Sequence, residues 1–238
     1  VGSGTTVEYI QVHENADDGV EFFGGAVNAK YVVLTSNKDD SVDWDNGYRG
    51  NMQYVLVKHD ANDGEANRAI EADNDGSNPS KTPQSNPTIA NMTIIGNGFD
   101  TADKDSEGIY LREGTRAQLH NFVVTNAAGE CLELEAGVTV DQAIANQTII
   151  TNSVFACGEN FKSQDSSTGA FDLMDWVLNI NSENSTEAGI TDVINGIYTI
   201  DTTTPYSFGA DAFFDNANHI GAVSEDNDWT EGWTVGLE

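Results

Sequence analysis

Basic residues are scarce in this chain. Its 238 residues include 10 Lys and Arg against 39 Asp and Glu, for a formal net charge of −29 and a pI near 4.1. That shortage excludes a nucleic-acid partner, because phosphate contacts need clusters of Lys and Arg. Acidic membranes and polyanionic glycans are repelled as well, unless a cation sits between. Cysteine is nearly absent: Cys131 and Cys157 are too few for a disulfide framework, and no Cys or His spacing suits zinc. No window approaches the roughly 18 apolar residues of a membrane helix, so direct membrane insertion is not expected. Proline is rare too, with 4 in the chain, three of them in the stretch 73–89.

The remaining composition is that of a folded protein, with 38% hydrophobic residues and 23 glycines. So acidic a surface fits salt- or calcium-rich surroundings, either as a solubility device or as specific metal binding. The chain starts at Val1 rather than Met, which reads as a mature or truncated product.

A repeat organises the sequence. "VEYIQVHENADDGVEFFGG" (7–25) is echoed by "KYVVLTSNKDDSVDWDNG" (30–47), and further copies begin near residues 53, 91 and 120, with a partial one at 152–163. Each unit holds an apolar strand, a polar turn with Asn, Asp or Gly, and a short second strand in strict alternation. In that second strand Val20/Phe22, Val42/Trp44, Ile70/Ala72, Ile109/Leu111 and Leu132/Leu134 are apolar at period two. Between them lie Glu21, Asp43, Glu71, Tyr110 and Glu133. Such alternation marks a half-buried strand, and its repetition puts a column of mostly acids on the outside. A period of about 22 residues with insertions suits a parallel β-solenoid, each repeat one coil. The 73–89 insertion reads as a loop projecting from one coil.

Beyond residue 164 the template fades. Phe171, Met174 and Leu178 fall at helical spacing and predict a short helix over 169–180. The aromatic, irregular tail is expected to cap the solenoid end. At the other end the chain enters a coil at once, so upstream coils or a partner are expected there. Residues 1–163 are therefore read as coils, and 164–238 as the last coil or coils and a capping segment of the same domain.

The runs "GSGTTVEYIQVHENADDGVEFFGGAVNAKYVVLT", "SNPTIANMTIIGNG" and "HIGAVSEDNDWTEGWT" resemble a family of secreted bacterial right-handed parallel β-helix repeat proteins of marine and surface-attached species. The resemblance covers nearly the whole chain. It implies an all-β, right-handed parallel β-helix, export to the cell surface or medium, and further coils upstream. It implies no catalytic residue.

Stacked coils bring equivalent positions to about 4.8 Å, so the turn pairs Asp17–Asp18 and Asp39–Asp40 lie one above the other, with Asn62–Asp63 beneath. Two like charges 5 Å apart repel by roughly 3 kcal/mol at an effective dielectric of about 20. Raised pKa values or a bound cation relieve this, and oxygen-only ligands favour calcium. The expected metal ligands are Asp17, Asp18, Asp39, Asp40 and Asp63; the competing reading is side-chain-to-backbone turn bonding. Asp73/Asp75, Asp103/Asp105/Glu107 and Asp226/Asp228 are weaker candidates.

A parallel β-helix also suggests polysaccharide chemistry. A hydrolase needs two carboxylates across a sugar, and a lyase needs a base beside a group that neutralises a uronate. Glu21, Asp43, Arg49 and Arg112 are the candidates. The four histidines share no spacing. Cys131 and Cys157 occupy neighbouring units, where an inter-coil disulfide and two buried thiols both fit. Phe23, Trp44 and Tyr48 form a sugar-stacking platform if they face outward, although Trp44 keeps inward parity. The leading expectation is a calcium-stabilised structural, adhesive or glycan-binding module, with end-to-end self-association as one possible assembly. The alternative is a polysaccharide-degrading enzyme working at the acidic face.

Overall fold

The computed structural model describes residues 2–62, 65–98, 106–181 and 183–238. Coil 1 consists of β1 (Thr6–His13) and β2 (Val20–Phe23), and coil 2 of β3 (Asn28–Thr35) and β4 (Val42–Asp45). Coil 3 has β5 (Asn51–Lys58) and β6 (Ile70–Ala72), coil 4 has β7 (Thr88–Ile95) and β8 (Ile109–Leu111), and coil 5 has β9 (Gln118–Thr125) and β10 (Glu130–Leu134). After helix α1 (Val138–Ile144) a sixth coil follows with β11 (Ile149–Thr151), β12 (Val154–Ala156) and β13 (Glu159–Ser163). The odd-numbered strands through β9, with β11 and β12, form an eight-stranded sheet closed by a short strand at Ser185–Thr186. The even-numbered strands through β10, with β13, form a six-stranded sheet, and all pairings in both are parallel. This is a parallel β-helix, as the repeat implied.

Register turns sequence periodicity into side-chain rows. Ile10, Val32, Val55, Met92 and Phe122 line up inside the eight-stranded sheet, and Val12, Leu34, Val57, Ile94, Val124 and Phe155 form a second inward row. They meet Val42, Trp44, Ile70, Ile109, Leu111, Leu132 and Leu134 from the other sheet in one core. Each long strand turns a corner at one residue in the left-handed region: Tyr9, Tyr31, Tyr54, Asn91, Asn121 and Asn152, with φ between 52° and 63°. Asn tolerates that conformation and Tyr does not. The three tyrosines are held by mutual stacking, with ring centroids 4.4 Å apart for Tyr9–Tyr31 and 5.1 Å for Tyr31–Tyr54.

Three expectations need correcting. The 73–89 loop does not project; Asn74 Nδ2 donates to the carbonyls of Pro79 and Lys81, and Gln84 Nε2 to that of Gly114, folding it against neighbouring turns. Gly47 (φ +83°) permits this approach, since a Cβ there would lie 2.4 Å from the Pro83 carbonyl. The 169–180 helix is a short α-turn, α2 (Leu173–Asp175), running into a π-turn at Trp176–Ile180. Leu173, Trp176 and Val177 enter the core, while Met174, which precedes the π-turn, is 56% exposed.

The third correction concerns the tail. The α2 segment, not the tail, closes the C-terminal end of the core. The tail runs back and forth along the outside of the eight-stranded sheet. Going down, Thr204 and Tyr206 accept from the Asn152 and Asn121 amides, and Asp215 exchanges bonds with Gln53. Returning, the His219 carbonyl accepts from Asn91 and the Gly221 amide donates to the Asn121 carbonyl. On the last pass Trp229 packs on Tyr31, Trp233 on Tyr9, and Val235 exchanges bonds with Gln11. The outward residues Val33, Leu56, Val123 and Val154 are thereby buried in a second core with Ile220, Ala222 and Val223.

Candidate functional site

With one sheet covered by the tail, the outer face of the six-stranded sheet is the open one. Parallel register arranges it as a grid. The row Glu21, Asp43, Glu71, Tyr110, Glu133 and Lys162 runs straight up the stack. A flanking row holds Phe23 and Asp45, continued by Asp73, Arg112 and Glu135 one residue beyond their strands. The turn residues Asp18, Asp40, Arg68 and Glu107 precede their strands and Glu130 opens β10, tied by backbone bonds Gly19→Asp40, Ser41→Arg68, Ala69→Glu107 and Gly108→Glu130.

The grid divides by its counter-charges. In coils 3 and 4, Arg68 pairs with Glu71 and, at 3.0 Å, with Glu107, whose side chain is 2% exposed. Arg112 lies 3.1 Å from Glu71, 2.9 Å from Asp73 and 3.3 Å from Glu113. Both guanidinium groups flank the Tyr110 ring, Arg68 at 4.7 Å and Arg112 at 5.9 Å. Between coils 4 and 5, oxygens of Glu107, Glu130 and Glu133 lie within 4.8 Å of one another. The Lys162 ammonium sits beside them, 3.0 Å from Glu133 and 3.8 Å from Glu130.

Coils 1 and 2 repeat the acids without the bases. Oxygens of Asp18, Glu21 and Asp43 lie within 4.8 Å of one another, and so do those of Asp17, Asp18 and Asp39. Burial pushes Asp40 up to about 8, helped by the charge of Glu71, and pushes Asp43 up to about 8, helped by Asp40, Asp18, Glu71 and Asp73. Asp18 rises to about 6 through burial, although the Asp40 amide donates to it at 3.1 Å. Burial also raises Glu21 and Asp45. Asp43 Oδ1 and Asp45 Oδ1 are enclosed and accept no hydrogen bond. Even the ion-paired Asp73 is pushed up to about 7, because burial outweighs Arg112. An all-oxygen donor set with unpartnered oxygens suits a hard divalent cation.

Residues 1–234 match the family model of the pectate-lyase-like β-helix domain. The chain belongs to that family. Membership in the pectate-lyase-like β-helix domain places the acid grid on a polysaccharide-related fold. No curated protein and no solved structure matches the chain.

Of the residues marked in the sequence, Asp17, Asp18, Glu21, Asp39, Asp40, Asp43 and Arg112 come together on this face. Arg49 does not: it is exposed in the turn after β4, where its amide donates to the Gly25 carbonyl, and it makes no ion pair among the described residues. Asp63 lies outside the described residues, as do Asp103 and Asp105. Asp75 caps its own turn and pairs with Lys81, and Asp228 accepts from Tyr198 and Thr230, which satisfies both locally. Trp44 and Tyr48 are buried, leaving Phe23 as the outward ring of that trio. The four histidines are scattered as their sequence spacing implied: Ser41 lies beside His59 and Thr151 beside His120, each within hydrogen-bonding distance. Arg68 was missed, since its row is set by register across a long turn; its spacing three residues before Glu71 was the available signal. Cys131 and Cys157 form a disulfide, with Cα atoms 5.6 Å apart.

Proposed function

We propose that the family's polysaccharide-related role takes the form, in this chain, of a calcium-dependent glycan-binding face on an exported module with a structural or adhesive role. The observation that carries the reading is the acid cluster Asp18, Glu21 and Asp43, raised in pKa and with no base on this face in its own two coils, where coils 3, 4 and 6 supply Arg68, Arg112 and Lys162. Asp18, Glu21 and Asp43 would hold the ion, with Asp17 and Asp39 at its edge. Calcium there would neutralise the cluster and keep coordination positions for water or sugar oxygens. Further along, Lys162 presents a partly exposed cation to an acidic glycan. The disulfide supports export, because such bonds persist in oxidising compartments.

A specific observation favours a second reading, cleavage of the glycan. With its carboxyl pushed up to about 8, Asp43 keeps its proton at neutral pH and is suited to act as a general acid. Glu21 and Glu71 flank it in the same row as candidate bases. A lyase is less well served, since Arg68 and Arg112 are committed to ion pairs. The readings separate by their response to calcium. Repulsion from neighbouring acids is part of what holds the Asp43 proton, so a bound cation removes it. The test is a panel of neutral and acidic polysaccharides assayed for retention and for new reducing or unsaturated ends, with calcium and with chelator. Calcium-dependent retention without product is the expected result. Product that calcium suppresses would establish the second reading, and neither retention nor product would overturn both.

A further inference from the structure

Phe23 is 71% exposed, and among the described residues it is the large exposed hydrophobic on the acid face. Every other outward position of its row and the neighbouring row is polar or charged, apart from the Tyr110 ring that the guanidinium groups flank. Core packing does not explain it, since strand parity points the ring away from the core that Val20 and Phe22 face. Its backbone is nevertheless held in place. The adjacent Phe22 ring stacks on Tyr48 with centroids 4.4 Å apart, the Tyr48 hydroxyl donates to the Val27 carbonyl, and the Gly24 amide donates to Asp45.

We infer that Phe23 is a sugar-stacking residue that sets where a glycan ring rests on this face. This rests on the glycan reading above and goes beyond it by naming the contact that fixes the sugar's position. The geometry follows from the strand. Glu21 is two residues away on the same side, Asp45 is directly opposite and Asp43 is diagonal, which puts the Cβ atoms of all three within roughly 5–8 Å of that of Phe23. A pyranose ring has polar edges and an apolar C–H face. Laid on a rigid phenyl ring, that face is removed from water while the hydroxyl edge points at the acids. Phe23 is thus a positioning residue, and the carboxylates remain the reacting or ion-binding groups. The ligand class is a pyranose polymer with one open apolar face.

The test is affinity electrophoresis in gels containing polygalacturonate, alginate or a neutral β-glucan, with calcium and with chelator. It compares wild type with Phe23→Ala, Phe23→Trp and Asp43→Asn. At 71% exposure, Phe23→Ala leaves the melting temperature unchanged. It is expected to weaken retention at least fivefold, while Phe23→Trp retains or strengthens it. Wild-type retention in Phe23→Ala, alongside lost calcium dependence in Asp43→Asn, would overturn this inference and leave the glycan reading standing. A defect in Phe23→Ala that Phe23→Trp does not restore would assign the loss to the strand rather than the ring, and would also overturn it. Absence of wild-type retention in all three gels would sink the glycan reading and this inference together.

Discussion

The lower and upper parts of the acid face share a backbone and differ in chemistry. Coils 3 to 6 carry acids interleaved with Arg68, Arg112 and Lys162; coils 1 and 2 carry acids of the same grid positions with no base among them. Identical register therefore produces two electrostatic states: one a closed network of ion pairs, the other a crowd of carboxyls in which Asp40 and Asp43, pushed up to about 8, hold their protons at neutral pH. The comparison teaches that stacking supplies the crowding, and that the residue chosen at one turn position decides how crowding is relieved. Where that residue is arginine the solution is internal. Where it is Asp18 or Asp40 the relief comes from protons or from a cation in solution.

The largest effect is expected from making the neutralised part resemble the bare one. Arg68→Met strips the cation from Glu107, which is 2% exposed, and breaking such a buried pair costs about 3–5 kcal/mol. Denaturant unfolding measures it, and a loss below about 1 kcal/mol would show that the network contributes little. The reverse change, Asp43→Asn, relieves the bare part. It is expected to stabilise the fold at pH 8 by roughly 1–2 kcal/mol in chelator, less than the full shift implies because neighbouring acids share the proton, with a smaller effect at pH 5 and none below about pH 4.

A pH series needs no mutation. Asp40 and Asp43 stand at about 8 in the fold against an ordinary aspartate value of 3.8, so the folded chain holds their protons more tightly than the unfolded one. Their contribution is full below about pH 4 and is lost as pH rises through about 8. Melting temperature in chelator should fall across that window, and calcium should restore most of the loss at the alkaline end. A flat profile, or one that calcium leaves unmoved, would mean the acids are already relieved in the folded protein. The smallest effect belongs to Lys162→Met. Its partly exposed pairs are worth about 1 kcal/mol or less, but the change leaves Glu107, Glu130 and Glu133 without their ammonium. New calcium sensitivity in its melting curve would show that one lost base is enough to turn the neutralised pattern into the bare one.

What could be read from the sequence was whatever depends on local periodicity. The alternation Val20–Glu21–Phe22 or Val42–Asp43–Trp44 fixes inside and outside within a few residues, so the acid column was visible before any fold. Arg68 was not, because its neighbours depend on how a long turn closes between β5 and β6. Arg49 was misplaced for the same reason: closeness in sequence to β4 does not survive the turn that follows. The tail was the hardest to place. Its bonds to Gln53, Asn91, Asn121 and Asn152 run mainly through its backbone, and backbone groups leave no signature in residue type.

One consequence of the parallel register concerns measurement. Strand-to-strand hydrogen bonding sets the rise of the grid at about 4.8 Å per coil, and no side chain can change it. Turn lengths vary from coil to coil while the rows stay aligned, so an insertion lengthens the chain without stretching the scale. The open face is a ruler whose graduations are marked by charge. A polymer lying along the face with a repeat commensurate with those graduations would meet the same row at each unit, and one with a different repeat would fall out of step within a few units. Selection among such ligands would then be written in the pitch of the backbone, with each row's side chains labelling the marks.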